Sequence, residues 1–321
     1  MPAALLSVVV PVFNRRELVL RAIGSVLAQE GASDREIIVV DDGSTDGTAD
    51  AIAQRFGGDA RVRTLAAQHA GASAARNLGL RHARGDLVCF LDSDDFWLPG
   101  MLGVVERVFA ALPQLAFVSV DGATLPVSGQ PVIPRVVSGN SPGWSHARFR
   151  RAALKHETID VPAPTPSVRG DFFPAIVFGD LFYLSGMVMS RKCAIAAGPF
   201  NERFRFFNDW EFFSRLCRQG EGVYLEFDGF RRDAGRDDQI SRGRHATAMP
   251  RRHLFLVRAQ LRRVDAPAPV LHQALADACY QMARTLLRSA HRRWARRYLL
   301  FCVRRRYKFF RVLALLIAST A

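Results

Sequence analysis

Short apolar runs rich in β-branched residues alternate with amphipathic helix patterns through the first 120 residues, and this alternation limits the possible folds more than any other feature. Residues 5–13 form the first such run. A run of this kind is typical of a strand buried on both faces of a parallel sheet. Asn14, with Glu17 three residues later, then marks the start of a helix.

The same unit of a strand followed by a helix recurs along the chain. We expect further strands at residues 36–41, 62–65, 87–91 and 115–120, with helices ending near 56, 83 and 111. Strands that alternate with helices in this way predict an α/β fold with a doubly wound, mostly parallel central sheet.

A proline-rich segment interrupts this pattern, because 8 of the 16 prolines lie between residues 122 and 175. It is predicted to be a long irregular loop, either a lid over a site or a disordered insert. Beyond it we expect a strand at 181–189, a helix at 209–218, a strand at 223–227 and only helices after Pro250. The chain therefore divides into regions 1–120, 121–250 and 251–321, the last a helical appendix.

The positive charge is concentrated at the end of the chain. Residues 250–321 hold 16 of the 44 Lys and Arg residues but only 2 of the 30 acids, whereas residues 1–249 are balanced. One helix face is predicted to carry Arg293, Arg297, Arg304, Lys308 and Arg311. Such a face in residues 290–321 can lie on an anionic membrane surface, or it can be a solvated face over packed helices. Nucleic acid is not expected as a partner, because no binding motif accompanies the charge.

The sequence also suggests a compartment. No uncharged apolar run approaches the roughly 18 residues of a membrane span, and no signal-peptide pattern is present. The five cysteines are an odd number with no metal-ligand spacing, which favours buried, reduced thiols. We expect a cytoplasmic protein, either free or peripheral on the inner membrane face.

Three polar clusters follow predicted strands at the point where each strand ends. They are Phe13-Asn14, Asp41-Asp42-Gly43-Ser44 and Asp92-Ser93-Asp94-Asp95. In open parallel sheets ligands bind outside the carboxyl ends of the strands, so we expect the clusters to meet in one cleft. Each cluster alone is equally typical of turns and helix caps.

The two carboxylates in Asp92-Ser93-Asp94 suggest a cation site. Hard oxygen ligands favour Mg²⁺ or Mn²⁺, and such an ion usually completes its shell with substrate phosphates. The expected ligand is therefore a nucleoside diphosphate. The first predicted strand is followed by neither G-x-G-x-x-G nor a Walker pattern, which argues against dinucleotide redox chemistry and P-loop chemistry. Trp97 either borders this cleft or belongs to the core.

Four ordered motifs then carry a family resemblance. They are SVVVPVFNR at 7–15, IIVVDDGSTDGT at 37–48, GASAARN at 71–77 and GDLVCFLDSDD at 85–95. Together they closely resemble family 2 glycosyltransferases of the GT-A fold, strongly over residues 5–120 and weakly over 180–245.

The resemblance implies the donor site. Its nucleotide-sugar ligands would be Pro11, Phe13, Asn14, Asp42, Arg76, Asp92 and Ser93. Phe13 would stack near the base, Asp42 would bind the base by a hydrogen bond, and Asp92 would approach the ribose. Asp94, together with Asp92, would hold Mg²⁺ or Mn²⁺.

The resemblance also implies a catalytic base in the second half of the chain. Asp209, in the stretch Asn208-Asp209-Trp210-Glu211, takes that position. Three departures from the family pattern are Asn208 in place of an acidic residue, His69 in place of Asn, and Asp233 in place of a late His.

The implied reaction is a single displacement with inversion at the sugar carbon. The donor would be a nucleotide-diphosphate sugar, most often UDP-linked, and the acceptor a saccharide or lipid-linked hydroxyl in polysaccharide synthesis. Two alternatives stay open: a catalytically silent GT-A-like domain that binds nucleotide or glycan, and a nucleotidyltransferase, which also places paired carboxylates at strand ends.

Overall fold

A computed structural model describes residues 5–31, 34–125, 154–161, 163–204, 207–233, 248–261, 268–288, 291–305 and 307–318. The chain divides into two compact units. The N-terminal unit contains Met1–Phe173 and Leu181–Arg236, and the C-terminal unit contains Pro174–Asp180 and Asp237–Ala321.

The described strands and helices follow the predicted alternation through the first 120 residues. The strands are β1 Leu6–Val12, β2 Arg35–Asp41, β3 Val62–Ala66, β4 Leu87–Phe90, β5 Phe96–Trp97, β6 Phe117–Leu125, β7 Lys155–Asp160, β8 Pro164–Gly170, β9 Met187–Ser190 and β10 Gly222–Asp233. The helices are α1 Arg16–Leu27, α2 Thr48–Phe56, α3 Ala72–His82, α4 Met101–Ala111, α5 Phe173–Ile176, α6 Arg191–Ala197, α7 Asn208–Leu216, α8 Ala248–Leu261, α9 Ala268–Arg288, α10 Arg292–Arg304 and α11 Phe309–Ala318.

One sheet organises the N-terminal unit, with the strand order β3-β2-β1-β4-β9-β6-β10-β8-β7 and β5 paired to β10. Its first half is parallel throughout: β1 pairs with both β2 and β4, and β2 pairs with β3. Every residue of β1 is buried, as an apolar central strand requires. The predicted fold class, a largely parallel sheet flanked by helices with helices at the C-terminal end, is confirmed.

The second half of the sheet adds antiparallel strands. Strand β9 runs antiparallel between β4 and β6, while β10 is parallel to β6 and antiparallel to β8. These antiparallel pairs connect the parallel first half of the sheet to the later part of the chain.

Helix α3 lies unusually close to the sheet. A Cβ atom at Gly79 would come within 2.2 Å of a methyl carbon of Val9 in β1, so only glycine fits at this contact. The buried face of α3 that results also contains Arg76 and Asn77. Gly79 thus allows α3 to pack closely on β1, and Arg76 and Asn77 are buried in the same helix.

The proline-rich segment is more ordered than predicted where the structure describes it. Strands β7 and β8 pair in an antiparallel hairpin, β6 continues to Leu125 and α5 begins at Phe173. The expectation of a wholly irregular stretch at 122–175 is therefore wrong for residues 122–125, 155–160, 164–170 and 173–175. Residues 126–153 lie outside the described residues. The strand predicted at 181–189 is also shorter, because a single 3₁₀ turn at Leu184–Gly186 precedes β9.

The described part of the C-terminal unit is helical, as predicted. Its core includes Leu254, Ala278, Met282, Leu299 and Cys302. Among the described residues, no helix combines the length and the hydrophobicity that a membrane-spanning segment requires.

The basic tail does not form one continuous helix face. Helix α10 ends at Arg304, and Lys308, directly before α11, has a left-handed φ angle of 43°. The Lys308 ammonium pairs with Asp277 at 3.2 Å, and Tyr307 donates a hydrogen bond to the same carboxylate. The predicted shared face is therefore wrong for Lys308 and Arg311.

The cysteines lie as the sequence predicted, with one exception. Cys89, Cys217, Cys279 and Cys302 are buried free thiols, whereas Cys193 is only half-buried. Burial raises the pKa of Cys279 to about 11 and that of Cys302 to about 12.

Candidate active site

The loops that follow β1, β2 and β4 are joined by hydrogen bonds and an ion pair. The Asn14 N–H donates to Ser44 Oγ at 2.9 Å, and the Thr45 N–H donates to Asn14 Oδ1 at 2.8 Å. Arg15 then pairs with the carboxylate of Asp94. Asn14 has a φ angle of 50°, a left-handed conformation that asparagine tolerates well. The three predicted strand-end clusters therefore meet at one edge of the sheet.

Asp42 is a buried carboxylate that binds the two residues directly before α3. Its two oxygens accept hydrogen bonds from the N–H groups of Ala70 and Gly71, at 2.8 and 2.7 Å. Nearby, the rings of Phe13 and His69 lie 4.2 Å apart. Phe13 is 39% exposed, although phenylalanine side chains are usually buried. The exposed ring of Phe13 therefore lies near the Asp42 carboxylate, with His69 between them in contact with both.

Asp92 and Asp94 each contact an arginine. The Arg76 Nη2 atom donates to Asp92 Oδ1 at 2.6 Å. Arg15 pairs with the Asp94 carboxylate, while Arg21 donates to the Asp94 carbonyl oxygen at 2.9 Å. The pair of carboxylates that the sequence suggested is therefore surrounded by three guanidinium groups.

The next residue, Asp95, is buried and holds the loop after β4 by hydrogen bonds. Its side chain accepts a hydrogen bond from Ser185 Oγ at 2.6 Å and one from the Asp233 N–H at 3.3 Å. Burial, together with the charges of Asp92 and Asp94, raises the pKa of Asp95 well above its usual range. We therefore regard Asp95 as a structural group of the loop.

Trp97 belongs to the core and not to the cleft. It is 3% exposed, and its indole Nε1 donates to the carbonyl oxygen of Ser185 at 2.8 Å. The interpretation that Trp97 borders the cleft is therefore wrong, and the core interpretation is confirmed.

Arg76 connects Asp92 to the start of helix α7. Besides Asp92, its guanidinium contacts Asn208, with 3.3 Å between Arg76 Nη1 and Asn208 Oδ1. Asn208 Nδ2 in turn donates to Ser73 Oγ at 2.7 Å. Because Asn208 begins α7, these contacts set the position of that helix start against α3.

Asn77 makes a second connection between α3 and the segment before α7. Its Nδ2 atom donates to the Phe200 carbonyl oxygen and to Glu202 Oε1, both at 2.9 Å. Its Oδ1 atom accepts from the Phe200 N–H at 2.7 Å. The segment that leads into α7 is thus held at two points by buried polar side chains.

Asp209 lies in the first turn of α7 and is electrostatically linked to the same cluster. Burial is the largest influence and raises the pKa of Asp209, the Arg76 charge lowers it, and the Asp92 charge raises it. The Asp209 Oδ1 atom accepts a hydrogen bond from the Trp210 N–H at 2.9 Å. The helix cap position is occupied by Phe207, so Asp209 is not the capping residue of α7.

The site offers a limited ligand set for a divalent cation. Within the part of the chain that the structure describes, no three His, Cys, Asp or Glu side chains gather as a metal-binding group. Asp92 and Asp94 still supply the hard carboxylate oxygens that Mg²⁺ and Mn²⁺ prefer, and two protein ligands suffice when phosphates complete the shell. The residues therefore fit such an ion, provided that Arg15 releases Asp94.

The remaining sequence candidates lie at the edges of the cluster. Pro11 is buried in β1 beside Val40, and Ser93 is buried between the two carboxylates. Sequence reasoning did not assign Arg15, Arg21 or Asn77. Arg15 directly follows Asn14 at the end of β1, and this adjacency was the available signal for it.

Part of this sequence is similar to known proteins. The family described as Glycosyl transferase family 2 matches residues 7–161. The succinoglycan biosynthesis protein ExoO of Rhizobium meliloti is 38% identical over 151 residues, covering 44% of this chain and 42% of that protein. The UDP-Glc:alpha-D-GlcNAc-diphosphoundecaprenol beta-1,3-glucosyltransferase WfgD of Escherichia coli is 37% identical over 99 residues, covering 30% of this chain and 38% of that protein. In each case the match spans less than half of the relative.

Solved structures resemble the chain over most of its length. TarS 1-349 of S. aureus in complex with UDP-GlcNAc has a TM-score of 0.63 at 14% identity and covers 98% of this chain and 88% of its own. The mannosyltransferase PcManGT from Pyrobaculum calidifontis, in complex with GDP-Man and Mn²⁺, has a TM-score of 0.54 at 19% identity and covers 99% of this chain and 86% of its own. At these identities the likeness establishes the fold.

Proposed function

The chain carries a family 2 glycosyltransferase domain with the GT-A fold, and from this premise we propose that it transfers a sugar from a nucleoside-diphosphate donor to an acceptor hydroxyl. One observation supports this proposal above the others. Arg76 contacts both Asp92, at the end of β4, and Asn208, beside Asp209. The charges of Arg76 and Asp92 also act on Asp209. This supports a proton-accepting role for Asp209 near the carboxylates that we propose bind the donor.

On the donor side, the nucleobase would lie against Phe13 and near Asp42, with Asp92 toward the ribose. Arg76 and Asp94 would face the diphosphate and the sugar. Mg²⁺ or Mn²⁺, held by Asp94 and Asp92, would supply positive charge where the leaving nucleoside diphosphate gains negative charge.

On the acceptor side, Asp209 would act as the general base. It would take the proton of the acceptor hydroxyl while that oxygen forms its bond to the anomeric carbon. The bond from this carbon to the donor phosphate oxygen breaks at the same time, and the electron pair leaves with the nucleoside diphosphate. The configuration inverts, and no covalent enzyme intermediate forms.

The names of the relatives suggest the substrate class. WfgD is named as a glucosyltransferase that uses UDP-Glc and a diphosphoundecaprenol-linked saccharide, and ExoO is named for succinoglycan biosynthesis. We therefore propose a UDP-sugar donor and a saccharide or lipid-linked acceptor, in the synthesis of a polysaccharide.

A nucleotide-sugar panel tests this proposal directly. With Mn²⁺ present, the matching UDP-sugar should raise the melting temperature by several degrees, because a ligand at 100 times its Kd stabilises the folded state by about 2.7 kcal/mol. Release of UDP in the presence of that sugar should depend on the cation. GDP-mannose and CMP-linked sugars serve as comparison donors.

The same panel separates the alternatives. Binding without UDP release would support a catalytically silent domain. This alternative is suggested by the three departures from the family pattern, at His69, Asn208 and Asp233. Release of pyrophosphate from a nucleoside triphosphate and a sugar phosphate would identify a nucleotidyltransferase. No stabilisation by any nucleotide would contradict the proposal.

We also propose an anionic membrane surface as a partner of the C-terminal unit. The buried side of α10 consists of Ala295, Leu299 and Cys302. Its opposite side carries Arg293, Arg297 and Arg304 together with Leu300, which is 51% exposed, and Trp294 is 55% exposed at the edge. The apolar side of α10 is packed in the core, so attraction between the exposed arginines and anionic lipids would carry the binding, with Trp294 and Leu300 at the surface.

Vesicle flotation of the full chain tests this surface. The triple variant Arg293→Glu, Arg297→Glu, Arg304→Glu should lose most binding to vesicles with 30% phosphatidylserine, because each basic residue near such a surface contributes about 1 kcal/mol. The matched control is Arg55→Glu, Arg81→Glu, Arg107→Glu, which changes three exposed arginines of the N-terminal unit and should bind like wild type. Equal loss in both triple variants would reduce the effect to net charge.

A further inference from the structure

Arg15 occupies a position from which it can control access to Asp94. It directly follows β1, and its N–H donates to Thr48 Oγ1 at 3.2 Å. Its guanidinium reaches across to the Asp94 carboxylate, and both side chains are largely buried, at 15% and 17% exposure. An ion pair that is this shielded from water is screened much less than a surface pair.

Asp94 and the carboxylates near it are already paired with arginine side chains. Arg15, Arg21 and Arg76 face Asp92, Asp94 and Asp233 through the contacts of this cluster. A divalent cation that bound alone would bring two further positive charges toward three guanidinium groups. It would also have to take the Asp94 carboxylate from Arg15. Binding of the cation alone is therefore disfavoured.

A nucleoside diphosphate changes this balance. Its phosphates bring negative charge, and a guanidinium group binds phosphate with paired hydrogen bonds as well as it binds a carboxylate. If the guanidinium of Arg15 moves from Asp94 to the diphosphate, the Asp94 carboxylate becomes available to the cation while Arg15 keeps a partner.

Arg15 is better suited to this exchange than Arg21. The Arg21 guanidinium donates to Asp233 Oδ2 at 3.0 Å and lies 4.5 Å from the centre of the Phe96 ring. It also donates to a backbone oxygen of Asp94, so it is fixed by three different groups. Arg15 instead acts on the carboxylate itself, from the loop at the end of β1.

We propose that the Arg15 guanidinium opposes binding of a divalent cation alone to Asp94 and moves to the diphosphate when the donor binds, so that cation and nucleotide each strengthen the binding of the other. This inference rests on the proposed function, because it takes the donor diphosphate to lie beside Asp94. It adds a role for Arg15, which is the last residue of the first motif and was given no role there.

The test measures Mn²⁺ and UDP binding to the full chain by calorimetry and by the EPR signal of free Mn²⁺. For wild type we expect Mn²⁺ alone to bind at least tenfold more weakly than Mn²⁺ in the presence of UDP. Arg15→Gln should bind Mn²⁺ alone at least tenfold more tightly than wild type and should bind UDP with Mn²⁺ at least tenfold more weakly. Arg15→Lys keeps the charge without the planar fork, so it should still oppose Mn²⁺ alone but recover only part of the UDP affinity.

Arg16→Gln is the matched control, since Arg16 is the next residue, has a 54% exposed side chain and pairs with Glu17. It should behave like wild type in every titration. The inference is overturned if wild type binds Mn²⁺ equally well with and without UDP, or if Arg15→Gln changes neither affinity. If wild type binds UDP in the calorimetric titration, the proposed function survives either of these results. Failure of wild type to bind UDP under any condition would instead reject the proposed donor and the inference with it.

Discussion

Replacing Asp209 by asparagine should lower kcat for sugar transfer by about 10²–10⁴-fold, while the affinity for the nucleotide sugar stays within about twofold of wild type. Asparagine keeps the shape of the side chain and the hydrogen bond from the Trp210 N–H. It cannot accept a proton from the acceptor hydroxyl. The measurement is single-turnover transfer, combined with calorimetric titration of the donor.

The control must separate loss of a base from loss of a negative charge at a helix start. Asp50 lies in the first turn of α2, as Asp209 lies in the first turn of α7, and its side chain is exposed. Asp50→Asn therefore removes a comparable interaction with the helix dipole, worth about 0.3–1 kcal/mol, far from the cluster. It should transfer sugar at the wild-type rate. Unchanged turnover in Asp209→Asn would remove Asp209 from the role of base.

The first half of the fold was predictable because its signals are local. Each buried parallel strand is a short apolar run, each helix follows with its own periodicity, and polar residues mark the strand ends. A parallel sheet places these ends at one edge, so Asn14, Ser44 and Asp94 were expected to approach one another before any contact was known. The contacts that join these loops bear out that convergence.

The prolines near β8 explain why its hairpin was missed. Pro164 begins the strand and Pro166 pairs with Thr158 of β7. Proline has no N–H group to donate, and it usually marks loops, strand starts or strand edges. Here the other residues of β8 form the pairs with β7 and β10. The local amino-acid composition does not indicate these partner strands.

The polar contacts that shape the site were not predictable from local patterns. Asn77 and Phe200 are 123 residues apart in sequence, and Arg76 and Asn208 are 132 apart. Nothing near either residue indicates its partner. For Trp97, by contrast, the short distance in sequence from the acidic cluster wrongly suggested a place at the cleft. Its indole is buried in the core. Long-range pairing decides which polar side chains belong to the site.

Arg76→Met should reduce transfer by about 10²-fold or more and should move the acid side of the pH profile to higher pH. The first effect follows because Arg76 sets the position of α7 through Asn208, and a displacement of about 1 Å at a reacting group can cost a factor of this size. Measuring kcat and KM separately over a pH series tests both effects.

The direction of the pH effect follows from the charges around Asp209. Burial raises the pKa of Asp209, and the positive charge of Arg76 opposes that rise. Without this charge the pKa rises further, so at any given pH a smaller fraction of Asp209 is ionised and able to act as a base. The variant should therefore regain part of its lost activity as the pH increases. A merely structural role for Arg76 would lower the rate equally at every pH.

Two further variants isolate the charge from the packing. Arg76→Lys keeps the positive charge but cannot contact Asp92 and Asn208 with one planar group, so it should lose rate with a smaller shift of the pH profile. Asn208→Asp adds a negative charge beside Arg76 and Asp209, and it should also raise the pKa of Asp209 while Arg76 stays in place. Arg81→Met, an exposed position on α3, is the matched control and should leave both rate and pH profile unchanged. If Arg76→Met and Arg81→Met gave the same profile, Arg76 would have no part in setting the basicity of Asp209.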